Sequence, residues 1–241
     1  MTMQIDRPQP QRHRRRRPWL VVGVALLAVG LTVLAAIGWS VWRDDVTMQR
    51  AQQVAGAQLQ QRWSVPDDGS ALQYGDPVAK ITIPRFGADW SYTVLEGTGQ
   101  DILAEGPGHY PGTADPGQFG NFALAGHRVG HDGVFDDAAE LQPCDPIIVE
   151  TRTQVLTYRM LPSPGEASGT CSTPPTSVPG REIVTPDADR VLWPVPNTTA
   201  TTKPDLALIT LTTCHPRFSA RQRLIIHGVL TNVRQKTASS S

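Results

Sequence analysis

The sequence predicts an all-β domain, a closed barrel or a sandwich, behind one membrane-spanning helix. Three features carry this expectation. From Val78 onward the chain alternates short β-like runs with Gly- and Pro-containing breaks. Within that region only "GVFDDAAEL", residues 133–141, reads as a helix, and it is short. Long helices do not alternate with the strands, so a doubly wound sheet is disfavoured. Upstream, Trp19 to Trp42 runs for 24 positions without a charged residue.

Taken in order, residues 1–18 form a basic tail with six arginines (Arg7, Arg12 and Arg14 to Arg17) against Asp6 alone. The whole chain balances 22 basic against 22 acidic residues, so the remainder of the chain is mildly acidic. A nucleic-acid binder would spread positive charge over its folded surface, and that class is excluded. As a helix, residues 19–42 would reach about 36 Å, enough for a hydrocarbon core of about 30 Å. The arginines then stay cytoplasmic by the positive-inside rule, with the rest of the chain outside. A cleaved signal peptide would carry a shorter apolar run and a small-residue cleavage site. "GWSVWRDD" offers no such site, so a single-pass anchor is expected.

Residues 43–75 begin Gln-rich and end in Pro, Asp, Gly and Ser. They read as a stalk with too few apolar positions to bury a face. The barrel region, residues 76–233, contains the runs "VAKITIPRF", "SYTVLEG", "NFALAGH", "PIIVETRTQVLTYRML", "EIVTP", "DLALITLTTC" and "RLIIHGVLTNV". Residues 162–182 read as a surface loop, and 234–241 as a disordered tail.

Two of those runs end in reactive side chains. "LITLTTCHPRF" stops at Cys214, and "NFALAGHR" stops at His127. Alternation puts Cys214 on the face of Thr212, Thr210 and Leu208 and turns His215 away, so its base must come from another strand. A thiol of ordinary pKa about 8.5 and an imidazole near 6.5 can together run acyl transfer at neutral pH. Arg223, or Arg221 if the strand register slips, would supply a cation for the oxyanion. His131 makes an i, i+4 pair with His127, but the glycines around it argue against a zinc helix, and it reads as a loop residue. His109, His215, His227 and Arg217 read as ordinary loop, strand or surface residues.

At these residues the chain resembles the sortases, cysteine transpeptidases of the Gram-positive cell surface. "TLTTCHPRFSARQRLIIHG" is similar to their active-site hairpin, in which a Thr-Leu-x-Thr-Cys strand precedes a strand opening with arginine. "GPGHYPGTADPGQFGNFALAGHR" is similar to the class E members of actinobacteria, and the resemblance covers residues 76–232. It implies an eight-stranded β-barrel without cofactor or metal. It implies cleavage of a C-terminal sorting motif between Thr and Gly through a thioester on Cys214. An amine of a peptidoglycan precursor then resolves that thioester, so the partners are secreted proteins carrying the motif and the wall precursor, at the membrane. His127 matches the acid/base, Arg223 the oxyanion cation, and Thr213 a residue whose hydroxyl or backbone serves the thioester carbonyl. Class E members are associated with LAXTG rather than LPXTG, and Tyr110 in "GHYPG" matches the selecting residue. The alternative for Tyr110 is packing between Pro107 and Pro111.

Two other functions stay open at this point: a pilin-polymerising sortase, and a non-catalytic, membrane-anchored binding module. The first would carry a lid motif and a second hydrophobic segment, and neither is found here, so housekeeping wall anchoring is preferred. With Cys214 as the nucleophile, the three cysteines leave Cys144 and Cys171 as a candidate disulfide. Two separate reduced thiols are the alternative.

Overall fold

The computed structural model describes residues 18–66, 69–130, 133–163, 171, 173–174 and 176–236. The arginine-rich tail up to residue 17, His131 and residues 237–241 lie outside these. Two compact units are present, Met1–Trp42 and Arg43–Ser241. In the first, Val21–Trp39 is a helical stretch with mean hydropathy 2.6, long and apolar enough to cross a membrane.

The second unit is a closed β-barrel. Its strands are β1 (Pro77–Thr82), β2 (Ser91–Glu96), β3 (Gly108–His109), β4 (Gly120–Ala125), β5 (Pro146–Glu150), β6 (Gln154–Met160), β7 (Arg181–Val184), β8 (Ala207–His215) and β9 (Gln222–Gln235). Neighbours run β6-β5-β1-β2-β3-β4-β8-β9, and a β6–β9 pairing closes the ring at eight strands. β7 is an addition to that ring. It pairs with Arg223 to Ile226 on the edge of β9 whose farther half, from Gly228 to Gln235, is taken by β6. The barrel is filled by alternate side chains such as Ile81, Phe122, Val149, Leu156, Ile209 and Ile226, all buried.

Several elements differ from the sequence reading. The single run 146–161 is a hairpin, β5–β6, turning at residues 151–153. The expected helix at 133–141 is a 3-10 turn, Asp136–Glu140. A short helix α2, Gln100–Glu105, and the two-residue β3 connect β2 to β4, where no element was expected. Strand β9 runs to Gln235, two residues into the expected tail.

The largest difference is the stalk. Residues up to Ser64 belong to a helix, α1 (Pro18–Ser64). Met48, Gln52, Ala55 and Leu59 recur at helical spacing, and Met48, Ala55 and Leu59 are buried against the barrel unit. The stripe was missed because its fourth member is polar. Gln52 behaves like a strand: its Nε2 donates to Thr93 O (3.1 Å) and Glu105 O (2.7 Å), while Thr93 N donates to its Oε1 (2.7 Å). On β2, β3 reaches only Leu95 and Glu96, so at Thr93 this edge has no strand beside it, and the amide takes the place of one. Gly106 leaves the room, since a Cβ there would sit 2.3 Å from Gln52 Nε2.

Replacing Gln52 by Leu keeps the volume but strands both main-chain groups of Thr93. We expect a loss of about 1–3 kcal/mol of stability, read as a lower urea midpoint. Leu59→Ala, at a side chain only 1% exposed, should cost about 2–5 kcal/mol in the same measurement.

Candidate active site

β8 lies between a parallel neighbour, β4, and an antiparallel one, β9. Ala125 is level with Thr212, and Gly126 N donates to Thr212 O (3.1 Å). His127 follows two residues beyond the end of β4, on the side of β8 that β4 occupies. On the other side Cys214 is directly opposite Arg223. Cys214 thus has Arg223 beside it across one pair of strands, and the segment carrying His127 continues from the strand on its other side. They also share a face. Ile209, Leu211, Phe122, Leu124, Leu224 and Ile226 fill the barrel, so Cys214, the alternate positions of β4 leading to His127, and Arg223 lie on its outer side.

Each of these three residues is held by its surroundings. The β4 run ends at Gly126, where a Cβ would come within 2.5 Å of Phe135 and 2.6 Å of Val134. Phe135 N then donates to the carbonyl of His127 (2.9 Å), fixing the backbone at the start of the loop. Cys214 is partly exposed and is the free cysteine among the described residues. Arg223 donates from Nη1 to the carbonyls of Ala220 (3.0 Å) and Gln222 (3.1 Å), which turns its guanidinium back over the β8–β9 turn. Arg221 precedes β9 and is exposed, so the register sets Arg223 and not Arg221 opposite the thiol.

One step below Cys214 on that face, Tyr110 and Thr212 are joined through their hydroxyls (3.0 Å), while Tyr110 N donates to Ala123 O (2.9 Å). Tyr110 therefore reaches the same face two residues before Cys214. Thr213 does not. Alternation turns it to the barrel side, it is 4% exposed, and its hydroxyl has no hydrogen-bond partner among the described residues. Of the two roles expected for Thr213, only the backbone one remains compatible with the Cys214 face.

Further down the same face lies a buried polar chain that sequence reasoning missed. Thr210 Oγ1 donates to Asn121 Oδ1 (2.6 Å) and meets His227 Nδ1 (2.8 Å). His227 Nε2 reaches Glu182 Oε1 (3.1 Å), which also accepts from Asn197 Nδ2 (2.6 Å). This chain fastens β7 and the connection after it to the strands that carry Cys214 and Arg223.

Arg128 was also missed. It is 6% exposed, and its Nη1 donates to Cys214 O (3.1 Å) and to His215 Nδ1 (2.8 Å). Burial, and then the charge of Arg217, push its guanidinium below the ordinary arginine value, while Asp136 and Cys214 pull the other way. The only sequence signal was a cation directly after His127 at the end of an apolar run. Cys144 and Cys171 are joined by a disulfide. A cleft of about 1000 Å³ lined by Trp63, Glu96, His109 and Gln154 does not include Cys214, His127 or Arg223.

Comparison with known proteins identifies the family. The model of the sortase domain matches residues 81–231. Sortase SrtE1 of Streptomyces coelicolor is 30% identical over 90% of the chain, which spans 58% of that relative's length. SrtE2 of the same organism is 27% identical over 87% of the chain and 81% of its own. Among solved structures, the SrtF sortase of Corynebacterium diphtheriae is 36% identical with a TM-score of 0.66, covering 73% of this chain and 95% of that one. Sortase E of Streptomyces avermitilis is 34% identical with a TM-score of 0.54, covering 70% of this chain and 97% of that one. With the sortase domain matched over most of the closed barrel, the chain belongs to the sortase family, on its class E side.

Proposed function

We propose that this chain is a membrane-anchored cysteine transpeptidase that joins secreted proteins to a peptidoglycan precursor. The observation that supports the reading is Cys214 directly opposite Arg223 on β9, with β4, the strand that leads to His127, paired to β8 on its other side. The Cys214 thiolate attacks the carbonyl carbon of the motif threonine. The Thr–Gly amide bond breaks, the glycine amine leaves with a proton from His127, and a thioester remains on Cys214. The amine of the wall precursor then gives a proton to His127 and attacks the thioester. A new amide forms, and Cys214 is released as thiolate. In both steps Arg223 swings from its turn carbonyls to the oxyanion. A nucleophile, a base and a cation at neighbouring strand ends support this over a pure binding module, which has no need of them.

Cys214→Ala should abolish the acyl-enzyme, read by mass spectrometry with a tagged sorting-motif peptide. His127→Ala and Arg223→Ala should lower kcat/KM by about 10²–10⁴-fold and 10²–10³-fold with the fold retained. Arg221→Ala should change it little. Loss at Arg221 equal to that at Arg223 would overturn the assignment of the cation.

The motif read is LAXTG. The alanine form has an N–H that the proline form lacks, and the Tyr110 hydroxyl, held beside Thr212 on the Cys214 face, can accept it. Tyr110→Phe should lower the LAXTG-to-LPXTG ratio of kcat/KM about ten- to hundredfold, chiefly by slowing the alanine peptide. An unchanged ratio would reduce Tyr110 to packing.

The anchor is retained, the N-terminus cytoplasmic and the barrel outside. Protease added to intact, wall-stripped cells should digest residues 76–233 and spare the arginine-rich tail. A mature N-terminus found after Gly38 would replace the anchor by a signal peptide.

A further inference from the structure

Arg128 is an expensive residue to keep where it is. It is buried, and among the described residues its Nε has no hydrogen-bond partner. Burying a guanidinium carries a desolvation cost that the charge of Asp136 and the guanidinium's own hydrogen bonds must offset. Its two contacts are with the backbone of the nucleophile and the side chain of the next residue. Nη1 donates to the carbonyl oxygen of Cys214 at 3.1 Å and to Nδ1 of His215 at 2.8 Å. The guanidinium thus bridges the Cys214 carbonyl and the His215 ring. With the backbone of Cys214 already paired to Arg223 on β9, this bond restrains the carbonyl on its open side and with it the direction of the Cα–Cβ bond.

The other end of the link is as direct. Arg128 follows His127 in the chain, and the His127 carbonyl is itself held by Phe135 N. His127 and Arg128 on one strand end thus face Cys214 and His215 on the neighbouring one. The first residue of each pair points to the outer face and the second to the barrel side. Arg128 is the cross-strand tie between the two.

We propose that Arg128 is a positioning residue for the reaction: it aligns the Cys214 thiol with His127 by holding the Cys214 carbonyl and the His215 ring, and it touches neither substrate nor the reacting atoms. The proposal rests on Cys214 as the nucleophile. It also fixes a proton. Arginine only donates, so His215 Nδ1 must accept, and His215 is the Nε2–H tautomer.

The test uses the full chain in detergent, with a sorting-motif peptide and an amine acceptor. Arg128→Met should lower kcat about 30- to 100-fold, the scale of a misplacement of roughly 1 Å, with KM within about twofold. Arg128→Lys should recover kcat to within about fivefold of wild type, because one nitrogen makes both contacts. Separately, ¹⁵N NMR of the wild type should show His215 protonated at Nε2. A folded Arg128→Met variant with wild-type kcat, a loss carried by KM alone, or His215 protonated at Nδ1 would each overturn the proposal. The tautomer decides the matter even where the methionine variant does not fold. Cys214→Ala separates the two levels. If activity survives it, the nucleophile is misassigned. If it does not, while Arg128→Met is fully active, only the positioning role falls.

Discussion

The registers of β8 against its two neighbours govern the site. A parallel pairing with β4 and an antiparallel pairing with β9 bring three distant segments side by side. Since side chains alternate with a period of two, a slip of one residue on either side would send Cys214 or a residue beside it into the barrel. That register is over-determined. Ile209 and Leu211 are buried inside, while outside Thr210 and Thr212 are hydrogen-bonded to Asn121, His227 and Tyr110. Packing on one face and polar pairing on the other both oppose a slip, so the strand ends can be left partly open for chemistry.

The same division of labour recurs at the helix. The part of α1 beyond residue 43 contributes few apolar side chains, yet it is integral to the barrel because one amide replaces a missing strand neighbour. β3 is only two residues long, which leaves Thr93 in need of partners, and Gln52 provides them. The shortness of β3 and the docking of the helix are thus one feature seen from two sides.

This explains what was legible in the sequence. Strands of four or more residues were readable from Val78 onward as apolar, β-branched runs between Gly- and Pro-containing breaks. Cys214, His127 and Arg223 stood out because each ends or opens such a run. β3 was illegible, since two residues carry no period. The helix stripe was hidden because Gln52 breaks its hydropathy while completing its hydrogen bonding. Arg128 was hidden for a similar reason: its worth lies in contacts to a backbone carbonyl 86 positions away, and main-chain acceptors leave no trace in composition. Thr213 was readable in direction too, since the alternation that sets Thr212 and Cys214 on one face turns Thr213 to the other.

One consequence of the barrel closure concerns how the fold tolerates change. The ring is closed by β6 on the far half of β9, while β7 occupies only the near half. The segment between β6 and β7 therefore spans no closure pairing, and its length is free of the shear that fixes the strands. Doubling such a loop costs about 0.6 kcal/mol of closure entropy. The disulfide from Cys144 to Cys171 ties the segment near its middle. The two ends of the segment are anchored, since Leu161 and Val178 are buried with Leu208 and Val229. A change of length is therefore confined to the stretch between those anchors, one hydrogen-bonded chain away from the strand that ends in Cys214.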